Sequence, residues 1–134
     1  MPLWQPTNRG IMLGYSESYT DFSVTGTTPS TAPITVTATA VGLPITIAVN
    51  GSLASIGGAV AIVDIMQGAT QLKRTGAFIP VGSFSLFYME YTYTPAPGSY
   101  TWGFRMQMNA SGESGQFNYS ASGVGPYSVR VTQG

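Results

Sequence analysis

The chain contains no histidine and no cysteine. Ser–His–Asp and Cys–His nucleophilic catalysis need an imidazole, so neither can operate here. Zinc and iron sites built on imidazole or thiolate are excluded for the same reason, as is a disulfide framework. Five carboxylates remain for acid–base work: Glu17, Asp21, Asp64, Glu90 and Glu113. Glycoside hydrolysis needs only two of them at a set separation. Glu17 and Asp21 are four residues apart, an even spacing that places them on one strand face, where two solvated strand charges are the simpler reading. Asp64 interrupts the apolar run from Val60 to Met66. An acid buried there requires a cationic partner, and Arg105 or Arg130 are the candidates. Calcium loops gather several oxygen ligands, whereas no loop here carries more than one acid. Gly57-Gly58 and Gly112-Glu113-Ser114-Gly115 are turn glycines with no phosphate-binding fingerprint around them. The expectation is a non-enzymatic chain with no cofactor, metal or catalytic residue.

The aromatic residues carry more information. Phe87, Tyr88, Tyr91, Tyr93, Tyr100 and Trp102 form a cluster that admits three readings: core, intersubunit contact, or stacking platform for sugars. Along the segment from Phe84 to Tyr93, Phe84, Leu86 and Tyr88 fall on one face, and Phe87, Met89, Tyr91 and Tyr93 on the other. A strand that is bulky on both faces must bury both or leave one as an adhesive patch. Tyrosine is enriched at protein interfaces. One face against the core and the other against a partner is therefore the preferred account, with Phe87, Tyr88, Tyr91 and Tyr93 as candidate interaction residues. Leu3 and Trp4, in a Pro-rich N-terminal stretch, are further candidates.

Charge is scarce. Only 7% of the 134 residues are charged, five of each sign, against roughly 25% in ordinary globular domains. A neutral chain with one adjacent basic pair, Lys73-Arg74, lacks the cationic field that nucleic-acid binding requires. A surface this poor in charge favours self-association. The longest apolar run, Ala59 to Val63, is far too short to cross a bilayer as a helix. Met1-Pro2-Leu3-Trp4-Gln5-Pro6 has neither the basic start nor the apolar stretch of a signal peptide. Three Asn-x-Ser triplets, at Asn50, Asn109 and Asn118, are read as chance in a Ser-rich chain.

The elements that must position these residues have period two throughout. Residues 1–10 read as an extended arm, and 11–134 as one β-domain. Strands are expected at Tyr15–Val24, at Ile34–Ala40 and at Ile45–Val49, the last closed by a tight turn at Asn50-Gly51. Others follow at Ala59–Met66, Ala69–Thr75 and Phe84–Tyr93. Thr25 to Pro33 and Gly76 to Gly82 read as connections, and Gly42-Leu43-Pro44 and Pro95-Ala96-Pro97-Gly98 as turns. Tyr100, Trp102, Phe104, Met106 and Met108 alternate with small or polar residues, the cleanest core-facing strand in the chain. After the Gly112–Gly115 turn come Phe117, Tyr119 and Ala121, then Tyr127, Val129 and Val131. Eight or nine strands at this spacing, with no internal repeat, predict a jelly-roll-like antiparallel β-sandwich.

The segment Tyr93-Thr-Pro-Ala-Pro-Gly-Ser-Tyr-Thr-Trp-Gly-Phe-Arg105, followed by Gly115-Gln-Phe-Asn-Tyr-Ser-Ala-Ser122 and Pro126-Tyr-Ser-Val-Arg-Val131, resembles the endings of bacteriophage virion proteins of the minor-tail and capsid-decoration type. The likeness covers the last third of the chain and rests on pattern. It implies a jelly roll shaped like the heads of C1q and tumour necrosis factor, and a homotrimer. It also implies other virion proteins as partners, such as a major capsid or tail protein, and assembly in the bacterial cytoplasm. It implies no catalytic residue. Leu3 and Trp4 would then anchor the arm to a shell, or Trp4 would cover the bottom of its own sandwich. The alternative function is a carbohydrate-binding module recognising a host surface glycan. No nucleic-acid or membrane partner is expected.

Overall fold

The computed structural model describes residues 11–56, 60–80, 84–117 and 126–134. Leu3, Trp4 and the expected arm lie outside the described residues, as do Tyr119 and Ala121. Ten strands, and no helix, are found among the described residues: β1 (Ile11–Ser18), β2 (Phe22–Thr25), β3 (Ser30–Ala40), β4 (Ile45–Ile56), β5 (Val60–Gln67), β6 (Thr70–Phe78), β7 (Phe84–Tyr93), β8 (Gly98–Met108), β9 (Ser114–Phe117) and β10 (Tyr127–Gln133). They form two antiparallel sheets packed as a jelly-roll-like sandwich. One sheet, of six strands, runs β1-β10-β4-β9-β2, with β7 paired along the other side of β4; the other, of four, runs β3-β8-β5-β6.

Period two explains which side chains meet between the sheets. In β8, Trp102, Phe104, Met106 and Met108 are buried as the alternation predicts, while Tyr100 is half-buried. In β3, Ile34, Val36 and Ala40 face the core and Thr35, Thr37 and Thr39 face outward. Phe104 sits at the centre, with edge contacts to Phe117 at 5.1 Å, Phe22 at 6.0 Å and Tyr127 at 6.2 Å between ring centroids. Edge-to-face pairs of this kind add to the burial of their own area.

Among the described residues ten strands stand where eight or nine were expected, and of the boundaries that differ from the sequence reading four have a clear cause. The expected strand from Tyr15 to Val24 is two strands, because the chain leaves β10 after Ser18 and pairs with β9 from Phe22. The expected connection up to Pro33 is already part of β3, and Pro33 sits inside a register shift between Thr31 and Thr35, where its missing N–H is tolerated. β6 extends to Phe78 because Ala77 and Phe78 keep pairing with Ala61 and Val60. The fourth concerns Asn50-Gly51, which is no turn. β4 runs straight through it, pairing with β10 up to Asn50 and with β9 from Leu53, while β7 accompanies it from Ile45 to Ala54.

The two sheets approach each other along both sides. On one, a bulge around Leu13 swings β1 toward β3, and the Gly14 backbone lies so near Val36 that a Cβ there would stand 2.3 Å from Val36 Cγ1. On the other, Lys73 of β6 donates from Nζ to the Glu90 carbonyl of β7 at 2.9 Å.

Candidate functional site

The outward-facing residues of the four-stranded sheet hold the one buried acid. Asp64 is 1% exposed and accepts from Arg74 Nε at 2.7 Å and Nη2 at 3.0 Å, and from Arg105 Nε at 2.8 Å. The register makes this triad: Asp64 stands directly opposite Arg74 on one side and Arg105 on the other. Burial pulls the carboxyl pKa upward, but hydrogen bonds and charge from the two arginines outweigh it and hold it below the ordinary carboxylate value. Arg105 was one of the two partners the sequence suggested. The second partner is Arg74 of the adjacent basic pair, and Arg130 lies on the opposite sheet. A carboxylate engaged by three N–H donors is a structural counter-ion, with no proton to give near neutrality.

The other acid pair dissolves. Glu17 lies on β1, whereas Asp21 lies in the connection before β2, so the two do not share a strand face. Among the described residues, no three acids approach closely enough to hold a metal ion.

Most of the aromatic cluster is interior. Trp102 is wholly buried and donates from Nε1 to the Tyr93 hydroxyl at 2.9 Å, and that hydroxyl in turn donates to Gln67. Phe87 is 6% exposed and packs edge-on against Phe117. Tyr91 and Tyr93 are half-buried, with ring centroids 5.6 Å apart, and pack on the core. Of the candidate interaction residues, Phe87 is a core position and Tyr91 and Tyr93 flank the core, and Trp102 cannot stack on a ligand. Their parity along β7 points them inward. Of the four chosen on β7, only Tyr88 faces solvent.

The outer face of the six-stranded sheet gathers what is left. On β7, Phe84, Leu86 and Tyr88 are 50%, 79% and 54% exposed and form an apolar strip. Among the described residues β7 is also an edge strand, paired with β4 on one side only. Its Glu90 carbonyl turns to Lys73 rather than to β4. Main-chain groups alternate in direction along a strand, so those of Phe84, Leu86, Tyr88 and Thr92 also point to the open edge.

Beside this strip lies a shallow polar trough. Strand register aligns Tyr15, Arg130, Ala48 and Glu90 in one row across β1, β10, β4 and β7, and Glu17, Ser128, Asn50 and Tyr88 in the next. Ala48 and Ser128 are buried and form the floor of a depression of about 150 Å³, rimmed by Tyr15, Asn50 and Arg130. The Tyr15 hydroxyl donates to Glu17 at 2.8 Å, and that bond, with burial adding to it, raises the phenol pKa. Burial and then the charge of Glu90 raise that of Tyr88. Of this group the sequence reading had singled out only Tyr88 for binding. No short-range signal marks the others, because Tyr15, Asn50, Ser128 and Arg130 come from three strands distant in the chain.

No protein-family model matches the chain, and no curated protein sequence matches it. Among solved structures the chain is similar to the C-terminal domain of EclA, described as a sugar-binding protein, at 9% identity and a TM-score of 0.45, over 85% of this chain and 78% of that one. It is similar to a Yersinia pseudotuberculosis-derived mitogen at 13% identity and a TM-score of 0.40, over 91% and 87% of the two chains. A chain of infectious bursal disease virus, Gt strain, matches at 11% identity and a TM-score of 0.41, over 92% of this chain but only 36% of its own. Likenesses at this level carry no argument about ligand or partner.

Proposed function

We propose that this domain is a non-enzymatic structural module of a bacteriophage virion, a homotrimer that decorates the capsid or forms part of the tail. The observation that supports assembly is β7, whose free main-chain edge and exposed Phe84, Leu86 and Tyr88 coincide on one strand. Proteins normally blunt such an edge with charge, proline or a bulge. Among the described residues one lysine covers one carbonyl, and a second copy paired along the strand would cover the rest. The virion assignment rests on the sequence resemblance, and the engaged state of Asp64 favours a non-catalytic role.

Size exclusion with light scattering tests the assembly. The expected mass is three times 14.1 kDa, and Leu86→Glu is expected to give a monomer with an unchanged circular dichroism spectrum. A strict monomer at high wild-type concentration would overturn the reading, and a dimer would remove the three-fold arrangement. Co-purification with virus particles at a fixed copy number tests the virion assignment.

A further inference from the structure

We propose that the trough between Tyr15 and Asn50 binds a neutral saccharide. The Tyr15 ring would stack on the C–H face of the sugar, while Arg130, Asn50 and Ser128 take its hydroxyls. This site adjoins the assembly strip at Tyr88, which pairs with Asn50, but its lining residues lie on β1, β4 and β10 and it does not depend on assembly.

The first ground is shape. A depression of about 150 Å³ is smaller than the roughly 300–1,000 Å³ of drug-sized sites, and its floor of small side chains leaves room for one ring. The second is the state of Tyr15. Its ring is 49% exposed, yet its hydroxyl is tied to Glu17, so the ring is held in place before any ligand arrives. An aromatic face is negative and attracts the weakly positive C–H groups of a sugar. Fixing the ring beforehand lowers the entropy lost on binding.

The third ground is Arg130. Arg74 and Arg105 are engaged by Asp64, whereas Arg130 forms no hydrogen bond or ion pair with any described residue. Its planar fork of five donors is free to span two neighbouring hydroxyls. Asn50, exposed on the far rim, offers both a donor and an acceptor.

The fourth ground is charge balance, which selects among ligand classes. In a chain with five basic and five acidic residues, Glu17, Glu90 and Arg130 all fall within these two rows. The lining itself carries one cation and no acid, but Glu17 and Glu90 beside it offset that charge, so a phosphate, sulfate or nucleic acid meets no net positive field. A neutral polyol, which donates and accepts at every hydroxyl, uses both signs.

The test is a printed array of neutral, sialylated and sulfated glycans probed with the intact chain, followed by saturation-transfer NMR with the best-bound glycan. Binding to a neutral glycan is expected. Tyr15→Ala and Arg130→Gln should each weaken it about tenfold or more, and Leu86→Ser should leave it unchanged. Tyr15→Phe, which keeps the ring but loses the tether, should fall between. Amide NMR spectra of each variant establish that it is folded. Absence of binding by folded protein, binding to sulfated glycans only, or affinity indifferent to both trough substitutions would each overturn the proposal. Mass measurements on the same samples keep its failure distinct from failure of the assembly.

Discussion

Gly51 lies directly against Tyr127: a Cβ at position 51 would stand 2.7 Å from Tyr127 Cβ and 2.8 Å from Phe117 Cδ1. This closeness explains why an Asn-Gly pair sits in mid-strand. Position 51 faces the core at the place where β4 exchanges β10 for β9 as its neighbour, and two large rings from those strands fill the space a side chain would take. Gly51→Ala should therefore destabilise the fold by about 1–3 kcal/mol through overpacking. Thermal unfolding checks this, and an unchanged midpoint would mean that the rings shift freely.

A second close approach should behave differently. Val36 is β-branched and stiff about χ1, so it cannot swing clear of a methyl group at Gly14, which would lie at 2.3 Å. Gly14→Ala is expected to cost about 1–3 kcal/mol, and most of that should be recovered in the Gly14→Ala, Val36→Ala double variant. Additive losses in chemical denaturation would contradict the contact.

Acid should loosen the protein through Asp64. Its folded pKa lies below its ordinary value of 3.8, so its stabilisation is complete above that value and is lost as pH falls through the folded one. The urea midpoint should drop as pH falls below about 4, and Asp64→Asn should flatten that part of the profile. At neutral pH the same change should cost about 1–3 kcal/mol. That is less than a wholly buried pair, because the Arg74 and Arg105 side chains are 44% and 26% exposed.

Tyr127 offers a prediction of opposite sign. Its side chain is 1% exposed and its hydroxyl has no hydrogen-bond partner. An unpaired buried hydroxyl is costly, so Tyr127→Phe should leave the unfolding midpoint unchanged or raise it. A loss above about 1 kcal/mol would show that the hydroxyl is satisfied, for example by an internal water.

Much of the sandwich is legible in the sequence because alternation is a local property. β8 and β3 follow from it residue by residue, and Asp64 needed a cation simply because it interrupts an apolar run. What escaped depends on neighbours far along the chain. The Asn50-Gly51 pair carries a strong turn signal, yet Tyr127 and Phe117 decide its fate. On β7, parity separates the faces correctly, but both are bulky, so neither names itself as the core. Phe87 lies inward and Leu86 outward because the register with β4 fixes it so. The trough is invisible for the same reason: Tyr15 and Arg130 become neighbours only when β1 pairs with β10.

The open edge of β7 also has a signature in time. Backbone amides of Phe87, Met89, Tyr91 and Tyr93 point toward β4, while those of Leu86, Tyr88, Glu90 and Thr92 point away. In an isolated chain, deuterium should enter at every second residue of this strand, a fast–slow rhythm inside one regular element. A neighbouring chain paired along that edge would silence the fast half, so the exchange record of a single strand distinguishes lone molecules from edge-paired ones.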